Sequence, residues 1–390
     1  MRGRPTPEPS SAAGPPPGRP AWAEVDLGAV AHNVSTLASR VAPATLCAVV
    51  KANGYGHGAV PVAEAAVAAG ASWLAVALVD EGVELRAAGI RAPILVLSEP
   101  RPEEMARVVT EDLTAAVYTF EGVTALAEAA RRWGRTAAAH LKVNTGMNRV
   151  GAQPADLLAL ARAIDADPAL ELAALWTHCA VADEPDHPFT DEQSARFRAA
   201  VDELEGAGLR PPLLHAANSA AGIVRPDLRF DLVRAGIAVY GIDPSPALAG
   251  LVDLRPALSL RAHVTHVKRV NSGERVSYGL RHEFGHDANV ATVPLGYADG
   301  VPRRLSGVGG EVLVGGRRRP VVGVVTMDQL MVDCGDDPVA VGDEVVLLGR
   351  QGDEAVSANE WGERLGTIGY EVVCGIGARV PRVYMGRPGA

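Results

Sequence analysis

Short apolar runs alternate with alanine-rich segments of helical spacing over the first two-thirds of the chain. The strand-length runs are TLCAVV (45–50), WLAVA (73–77), ILVL (94–97), LTAAV (113–117), AAAHLKV (137–143), LELAALW (170–176), LLHAA (213–217) and RFDLV (229–233). Each of the first seven is followed by a segment with apolar positions three and four apart. Eight strand–helix units in series predict an α/β fold, a closed parallel (β/α)8 TIM-type barrel, rather than an open doubly wound sheet. No G-x-G-x-x-G follows the first run, which weakens a dinucleotide-binding alternative. Ahead of the barrel, AWAEVDL reads as a short strand, and Asp26 as the N-cap of an amphipathic helix over 27–40.

The pattern changes beyond about Leu251. Long helical periodicity vanishes, and β-rich runs take over: LRAHVTHVKRV, ANVATVPL, EVLVGG, PVVGVVTMDQLMVDC and DEVVLLG. These predict a C-terminal β-domain. The expected organisation is a proline-rich, disordered tail over 1–20, a strand over 21–26, the barrel over 27–252 and the β-domain over 253–390.

Length and composition narrow the class. The 390 residues suit two domains. A composition 48% hydrophobic and 21% charged is that of a globular protein. A net charge of −9 argues against a general nucleic-acid binder. No apolar run is long enough to span a bilayer, and the first twenty residues lack the apolar core of a signal peptide, so a cytoplasmic protein is expected. Cys47, Cys179, Cys334 and Cys374 have no metal-type spacing and read as reduced, buried thiols. The 37 basic residues include three lysines, Lys51, Lys142 and Lys268. A chain so biased towards arginine keeps lysine where a deprotonatable or modifiable amine is required.

In a barrel of this kind, functional groups gather where strands end. Lys51 ends the first strand, within AVVKANGYGHG. Arg149 follows the fifth, in LKVNTGMNRVG, and His178 the sixth, in WTHCAVADE. Asn218 and Ser219 follow the seventh, in HAANSA, and Arg234 the eighth, in DLVRAGIAVYG. Polar residues from strands far apart in sequence thus converge on one mouth. Each also has a plainer reading: Lys51 as a surface charge, His178 as a hydrogen-bonded structural histidine, Asn218 and Ser219 as helix caps, Arg234 as an ion-pair partner.

AVVKANGYGHG resembles the pyridoxal-phosphate attachment motif of alanine racemases. The resemblance continues in order through HLKVNTGMNRVG, THCAVADE, HAANSA, VRAGIAVYG, VSYGLRHE, PLGYADGVPR, VTMDQLMVDC and IGYEVVCGIGARVPRVY, and so covers nearly all of the chain beyond the tail. It implies a (β/α)8 barrel with a β-domain that the N-terminal strand joins. It also implies a homodimer whose active sites combine one subunit's barrel with the other's β-domain.

By that resemblance, Lys51 carries pyridoxal 5′-phosphate as an internal Schiff base. Tyr55, Ser219, Tyr370 and the backbone around Gly236 and Ile237 contact the phosphate, and Asn218 lies in the same cofactor-binding group. Arg234 faces the pyridine nitrogen, where its retained proton suits a racemase better than a transaminase. Lys51 and the partner subunit's counterpart of Tyr278 serve opposite faces of the substrate Cα, with His178 linking Tyr278 to Arg234. Arg149 and, through the second subunit's main chain, Met327 and Asp328 meet the substrate carboxylate, and Tyr297 lines the entrance. Lys142 matches a lysine that is often carbamylated and then steadies Arg149. The implied reaction is interconversion of L- and D-alanine by two bases, supplying D-alanine for peptidoglycan.

The family commonly reads K-x-D-T-G-M where this chain has Lys142-Val143-Asn144-Thr145. A nearby negative charge is lost there. Three other readings stand beside the first. A barrel decarboxylase has an acidic group where Arg234 stands, and a single-barrel pyridoxal-phosphate carrier lacks the β-domain. A serine-acting or broad-range racemase shares Lys51, Arg234 and Tyr278, and the entrance tyrosines favour a small side chain over it.

Overall fold

A computed structural model describes residues 18–386 of the chain. They divide into two compact units, one formed by Asp26–Ala257 and the other by the N-terminal residues up to Val25 together with Leu258–Met385.

The first unit is the barrel. Its eight strands are β2 (Thr45–Val49), β3 (Trp73–Val76), β4 (Ile94–Val96), β5 (Thr114–Val117), β6 (Ala137–Lys142), β7 (Leu170–Trp176), β8 (Leu213–His215) and β9 (Leu232–Ala235), after the strand β1 (Ala21–Asp26) of the other unit. Neighbours pair in parallel from β9 through β2 to β8, with β2 paired to both β3 and β9. The last seam is closed by the backbone N–H of Asp231 on the Leu214 carbonyl and that of Arg234 on the Ala217 carbonyl, both at 3.0 Å. Most strand positions are buried Val, Leu, Ile and Ala, as a barrel covered by helices requires. Asp26 caps the first helix, Leu27–Val41, accepting from the N–H of Ala29 at 3.0 Å, as its sequence position predicts.

Seven strands lie within one or two residues of the expected runs. The eighth begins at Leu232 instead of Arg229, because Phe230 takes a left-handed backbone (φ 46°) that breaks an extended run. Asp231 just before it accepts from the Leu214 N–H at 2.8 Å and ties the strand's start to β8.

The second unit is mainly antiparallel sheet. β1 pairs with Leu258–His263, from Ala21 opposite Ala262 to Val25 opposite Leu258, so the N-terminal strand belongs to the β-rich unit. The run 260–270 is two strands, Leu258–His263 and His266–Val270, and the run 320–334 is split by a loop between Arg317–Val322 and Leu330–Asp333. Two short helices, Ala358–Leu365 and Gly369–Cys374, were not expected there.

The disordered tail was expected to run to residue 20; residues 1–17 lie outside the described residues. Arg19 is placed, and its guanidinium forks onto both oxygens of the buried Asp299, at 2.5 and 2.6 Å. Cys47, Cys179 and Cys334 are buried thiols as expected, but Cys374 is exposed. Among the described residues no helix is long and apolar enough to cross a membrane.

Candidate active site

The chain reverses hand immediately after Lys51. Ala52 (φ 52°, ψ 50°), Asn53 (52°, 49°) and Gly54 (60°, 46°) form a left-handed turn that Tyr55 (φ 51°) continues. Left-handed geometry costs a non-glycine residue roughly 1–2 kcal/mol, so three such residues in one turn require holding from outside. Asn53 supplies one hold, its Oδ1 accepting the Ala59 N–H at 2.9 Å. Tyr55 supplies another, its ring 4.8 Å from that of Tyr240.

Tyr55 ends beside Gly236, on the loop after β9. A Cβ built on Gly236 would lie 2.5 Å from the Tyr55 hydroxyl, so only glycine leaves this space open. The Gly236 N–H donates to Ser219 Oγ at 2.8 Å, and Ile237 opens the single helical turn that follows. Asn218 caps the helix Ser219–Val224, accepting the Ala221 N–H at 3.0 Å. Tyr55, Ser219 and Gly236 are therefore neighbours, brought together from loops one, seven and eight.

Arg234 is buried in the adjoining strand, and every bond of its terminal nitrogens is to a neutral acceptor. One nitrogen donates to His215 Nδ1 (2.7 Å) and the His215 carbonyl (3.2 Å). The other donates to the carbonyls of Thr177 (2.7 Å) and Ala216 (2.8 Å) and to His178 Nδ1 (3.3 Å). The ion-pair reading of Arg234 fails: among the described residues it has no carboxylate partner. Burial pulls its pKa down to about 10, which leaves it charged at neutral pH. The same burial, reinforced by Arg234, holds His140 at about 3 and puts His178 and His215 well below the ordinary imidazole value, so all three are neutral.

Trp176 forms the floor. His215 stacks on its indole (13° between planes), while Lys142 Nζ lies 4.1 Å and the Arg234 guanidinium 4.7 Å from the ring centroid. Lys142 is buried, and its pKa is lowered to about 7 by that burial and by the charges of Arg234, Arg149 and Lys51. Four basic side chains thus share one barrel mouth in a chain of net charge −9. Cys47, pushed up to about 12 by burial, and Cys179, raised to about 11 for the same reason, are neutral thiols beside them.

The loop bearing Arg149 is shaped by Asn144. Its Oδ1 accepts the N–H groups of Gly146 and Asn148 at 3.1 Å, and its Nδ2 donates to Asn148 Oδ1 at 2.9 Å. The two backbone bonds need only a side-chain oxygen, which aspartate and asparagine both offer. Gln193 fastens this loop to the next: Oε1 accepts the Ala180 N–H at 2.7 Å, while Nε2 donates to Thr145 Oγ1 at 3.0 Å and the His178 carbonyl at 3.1 Å.

The remaining expected residues lie in the β-rich unit. Tyr278, in a one-turn helix after a left-handed Ser277, is 74% exposed, and Tyr297 and Met327 are exposed as well. The N–H groups of Tyr297 and Ala298 donate to the carbonyls of Thr326 and Met327, so the two loops form one surface. Asp328 is held by Arg379 at 2.7 Å. Tyr370 sits in the first turn of Gly369–Cys374.

Both units match one family. Residues 25–244 match "Alanine racemase, N-terminal domain" and residues 257–384 match "Alanine racemase, C-terminal domain". An alanine racemase of Symbiobacterium thermophilum is 52% identical over 369 residues, 94% of this chain and 98% of that one. The chain belongs to the alanine racemase family.

Solved structures agree with this alanine racemase assignment. The alanine racemase of D-cycloserine-producing Streptomyces lavendulae superposes with a TM-score of 0.90 at 44% identity, covering 95% of this chain and 98% of that one. A histidine racemase from Leuconostoc mesenteroides subsp. sake also superposes, with a TM-score of 0.86 at 31% identity, covering 96% and 100%. The chain is an isomerase of this family, and its fold is shared with a protein named as a histidine racemase.

Sequence reasoning missed His140, His215, Trp176, Glu81 and Gln193. For the first two a signal existed, since a histidine inside an otherwise apolar strand (AAAHLKV, LLHAA) demands a buried partner. Glu81 and Gln193 lie on ordinary helices, and only their long-range contacts distinguish them.

Proposed function

We propose that the chain interconverts L- and D-alanine with pyridoxal 5′-phosphate carried on Lys51. The observation that carries this reading is the barrel mouth itself: a buried, carboxylate-free Arg234 beside the Tyr55–Ser219–Gly236 cluster, with Lys51, Lys142 and Arg149 around it. Such a donor set fits a phosphate-bearing pyridine. When bound, the cofactor withdraws electrons from the amino acid and so acidifies its Cα hydrogen.

The remaining roles fall to the chain's own residues. Lys51 supplies the nucleophilic amine just past the end of β2. Tyr55, Ser219, Tyr370 and the backbone at Gly236 and Ile237 hold the phosphate, and Asn218 fixes the loop bearing Ser219. Arg234 retains its proton, because the guanidinium gives it up only near pH 10, and so it cannot protonate a ring nitrogen held against it. That restraint favours returning a proton to Cα over transferring the amino group.

Racemisation needs a proton removed from one face and another delivered to the opposite face. Lys51 serves one face and Tyr278 of a second subunit the other. Arg234 donates to His178 Nδ1, so the His178 proton sits on Nε2, the atom left for the phenolic oxygen. Arg149 and the main chain at Met327 and Asp328 of a second subunit orient the substrate carboxylate, and Tyr297 and Tyr370 restrict the entrance to a small side chain. The assembly is a homodimer with shared sites, and its product supplies cytoplasmic peptidoglycan synthesis.

Chiral chromatography of L-alanine incubated with the pyridoxal-phosphate-loaded protein tests the reading, with L-serine and L-histidine run in parallel. Equal L- and D-alanine at equilibrium, reached faster than for the other two, is the expected result. Faster turnover of serine or histidine would overturn the substrate assignment. No D-amino acid from protein with the cofactor attached to Lys51 would overturn the reaction.

A further inference from the structure

Glu81 is an acidic side chain close to the barrel mouth, and it grips backbone. It is the third residue of the helix Val79–Ala87, after β3. Its Oε2 accepts the N–H groups of Ala77 (2.8 Å) and Leu78 (3.0 Å). That is an ordinary backward reach at a helix start. Its Oε1 does something a helix cap does not require: it accepts the N–H of Ala52 at 2.6 Å, 29 residues away.

That N–H belongs to the peptide bond leaving Lys51. Ala52 is the first residue of the left-handed turn, and the first N–H of a helical turn has no partner inside it. The turn's own bonds begin later, with the N–H groups of Gly54 on Val50, Gly56 on Ala52 and Gly58 on Asn53. The orientation of the Lys51–Ala52 peptide is therefore set from outside, by a carboxylate that spans the ends of β2 and β3.

We infer that Glu81 is a positioning residue for Lys51: by holding the Ala52 N–H it keeps Ala52 at positive φ, and so aims the Lys51 side chain and the Tyr55 hydroxyl into the barrel mouth. The inference rests on the proposed attachment of pyridoxal phosphate to Lys51. Its physical basis is the hand of the backbone. Ala52 stands at φ 52°. An alanine in that region returns to negative φ when nothing restrains it. That return rotates the peptide after Lys51 and carries Tyr55, three residues on, away from Gly236.

The test uses the full-length holoenzyme and its unloaded form. Glu81→Gln offers one acceptor oxygen for donors on two sides, so either Ala52 or the Ala77–Leu78 pair loses its partner. The expected result is cofactor retention on dilution about tenfold weaker, the equivalent of one charge-assisted bond. Faster amide exchange at Ala52 than in the parent protein is expected with it. Adding Ala52→Gly should restore much of the retention, because glycine takes positive φ without restraint. A simple helix cap gives a different pattern: a lower unfolding midpoint, no recovery with Ala52→Gly and unchanged Ala52 exchange, which would overturn the inference. If Glu81→Gln does not fold, Glu81→Asp, which withdraws the carboxylate by one methylene, is read by the same criteria. If borohydride fixes no cofactor onto a Lys51 peptide of the parent protein, the attachment reading fails. Ala52 exchange in the unloaded protein then still decides whether Glu81 holds the turn.

Discussion

Arg234 donates to His215 Nδ1 at 2.7 Å, and this bond fixes where the protons lie through the barrel core. Arginine can only donate, so the His215 proton is on Nε2. That atom is 3.2 Å from His140 Nδ1, which must accept, so the His140 proton is on its own Nε2, buried and without a hydrogen-bond partner. The cost of that buried donor falls at the end of the hydrogen-bond chain remote from the reacting atoms. Replacing Arg234 by lysine leaves three donors for five acceptors, and each buried acceptor left unpaired costs about 1–3 kcal/mol. Arg234→Lys should lower the unfolding free energy accordingly and change the imidazole nitrogen shifts of His215 before those of His140.

The pKa of Lys142, lowered to about 7 first by burial and then by Arg234, Arg149 and Lys51, has a signed consequence for stability. Below about pH 7 both folded and unfolded chains hold the proton, and the burial penalty is felt in full. Between about 7 and the ordinary 10.5, only the unfolded chain holds it, so this group makes the folded state more stable as pH rises. Lys142→Met should flatten that rise in urea titrations performed without carbon dioxide. With bicarbonate above about pH 7, the uncharged amine should take up one carbon dioxide, seen as added mass on the Lys142 peptide of the native protein and lost on acidification.

Asn144 tests whether the Arg149 loop needs a charge or only an acceptor. Asn144→Ala removes two backbone bonds and should cost about 1–2 kcal/mol, with a higher KM for alanine. Asn144→Asp preserves both acceptors once the Asn148 amide turns over, and should cost less than half as much by the same unfolding measurement.

Arg19 and Asp299 offer a prediction for the other unit. The Asp299 carboxyl is wholly buried and accepts from Arg19, from the Gly296 N–H at 2.9 Å and, more distantly, pairs with Arg379 at 3.4 Å. Burial alone would raise its pKa, but Arg19, the Gly296 N–H and Arg379 together hold it below the ordinary 3.8. A depressed carboxylate stabilises the fold above its unfolded pKa, and that stability is lost as pH falls through the folded value. Arg19→Ala should cost about 2–3 kcal/mol, less than for a fully buried pair because Arg379 remains. It should also move acid unfolding to higher pH. Truncation through residue 20 should do the same.

Much of this site was legible in the chain because its parts are local. Lys51, Arg149, His178, Asn218, Ser219 and Arg234 each end or follow an apolar run, and a parallel barrel places all such ends on one face. The plainer reading of Arg234 was an ion-pair partner, yet its acceptors are carbonyls and imidazoles contributed by β8 and the loops beyond β7 and β8. No local pattern records that, since each of those strands would look the same with a carboxylate opposite.

Local periodicity dictated the order of strands and helices, the change of texture near residue 251 and the residue types available at the strand ends. Those follow from side-chain spacing and burial, which act over a few residues. Folding alone set the left-handed hand of the turn after Lys51, the start of the last strand beyond Phe230 and the direction of every proton from Arg234 to His140. Each depends on a partner many residues away: Glu81 for Ala52, Asp231 for Leu214, His140 for His215. Backbone hand and tautomer are chosen by whichever donor or acceptor the closed barrel brings within hydrogen-bond reach.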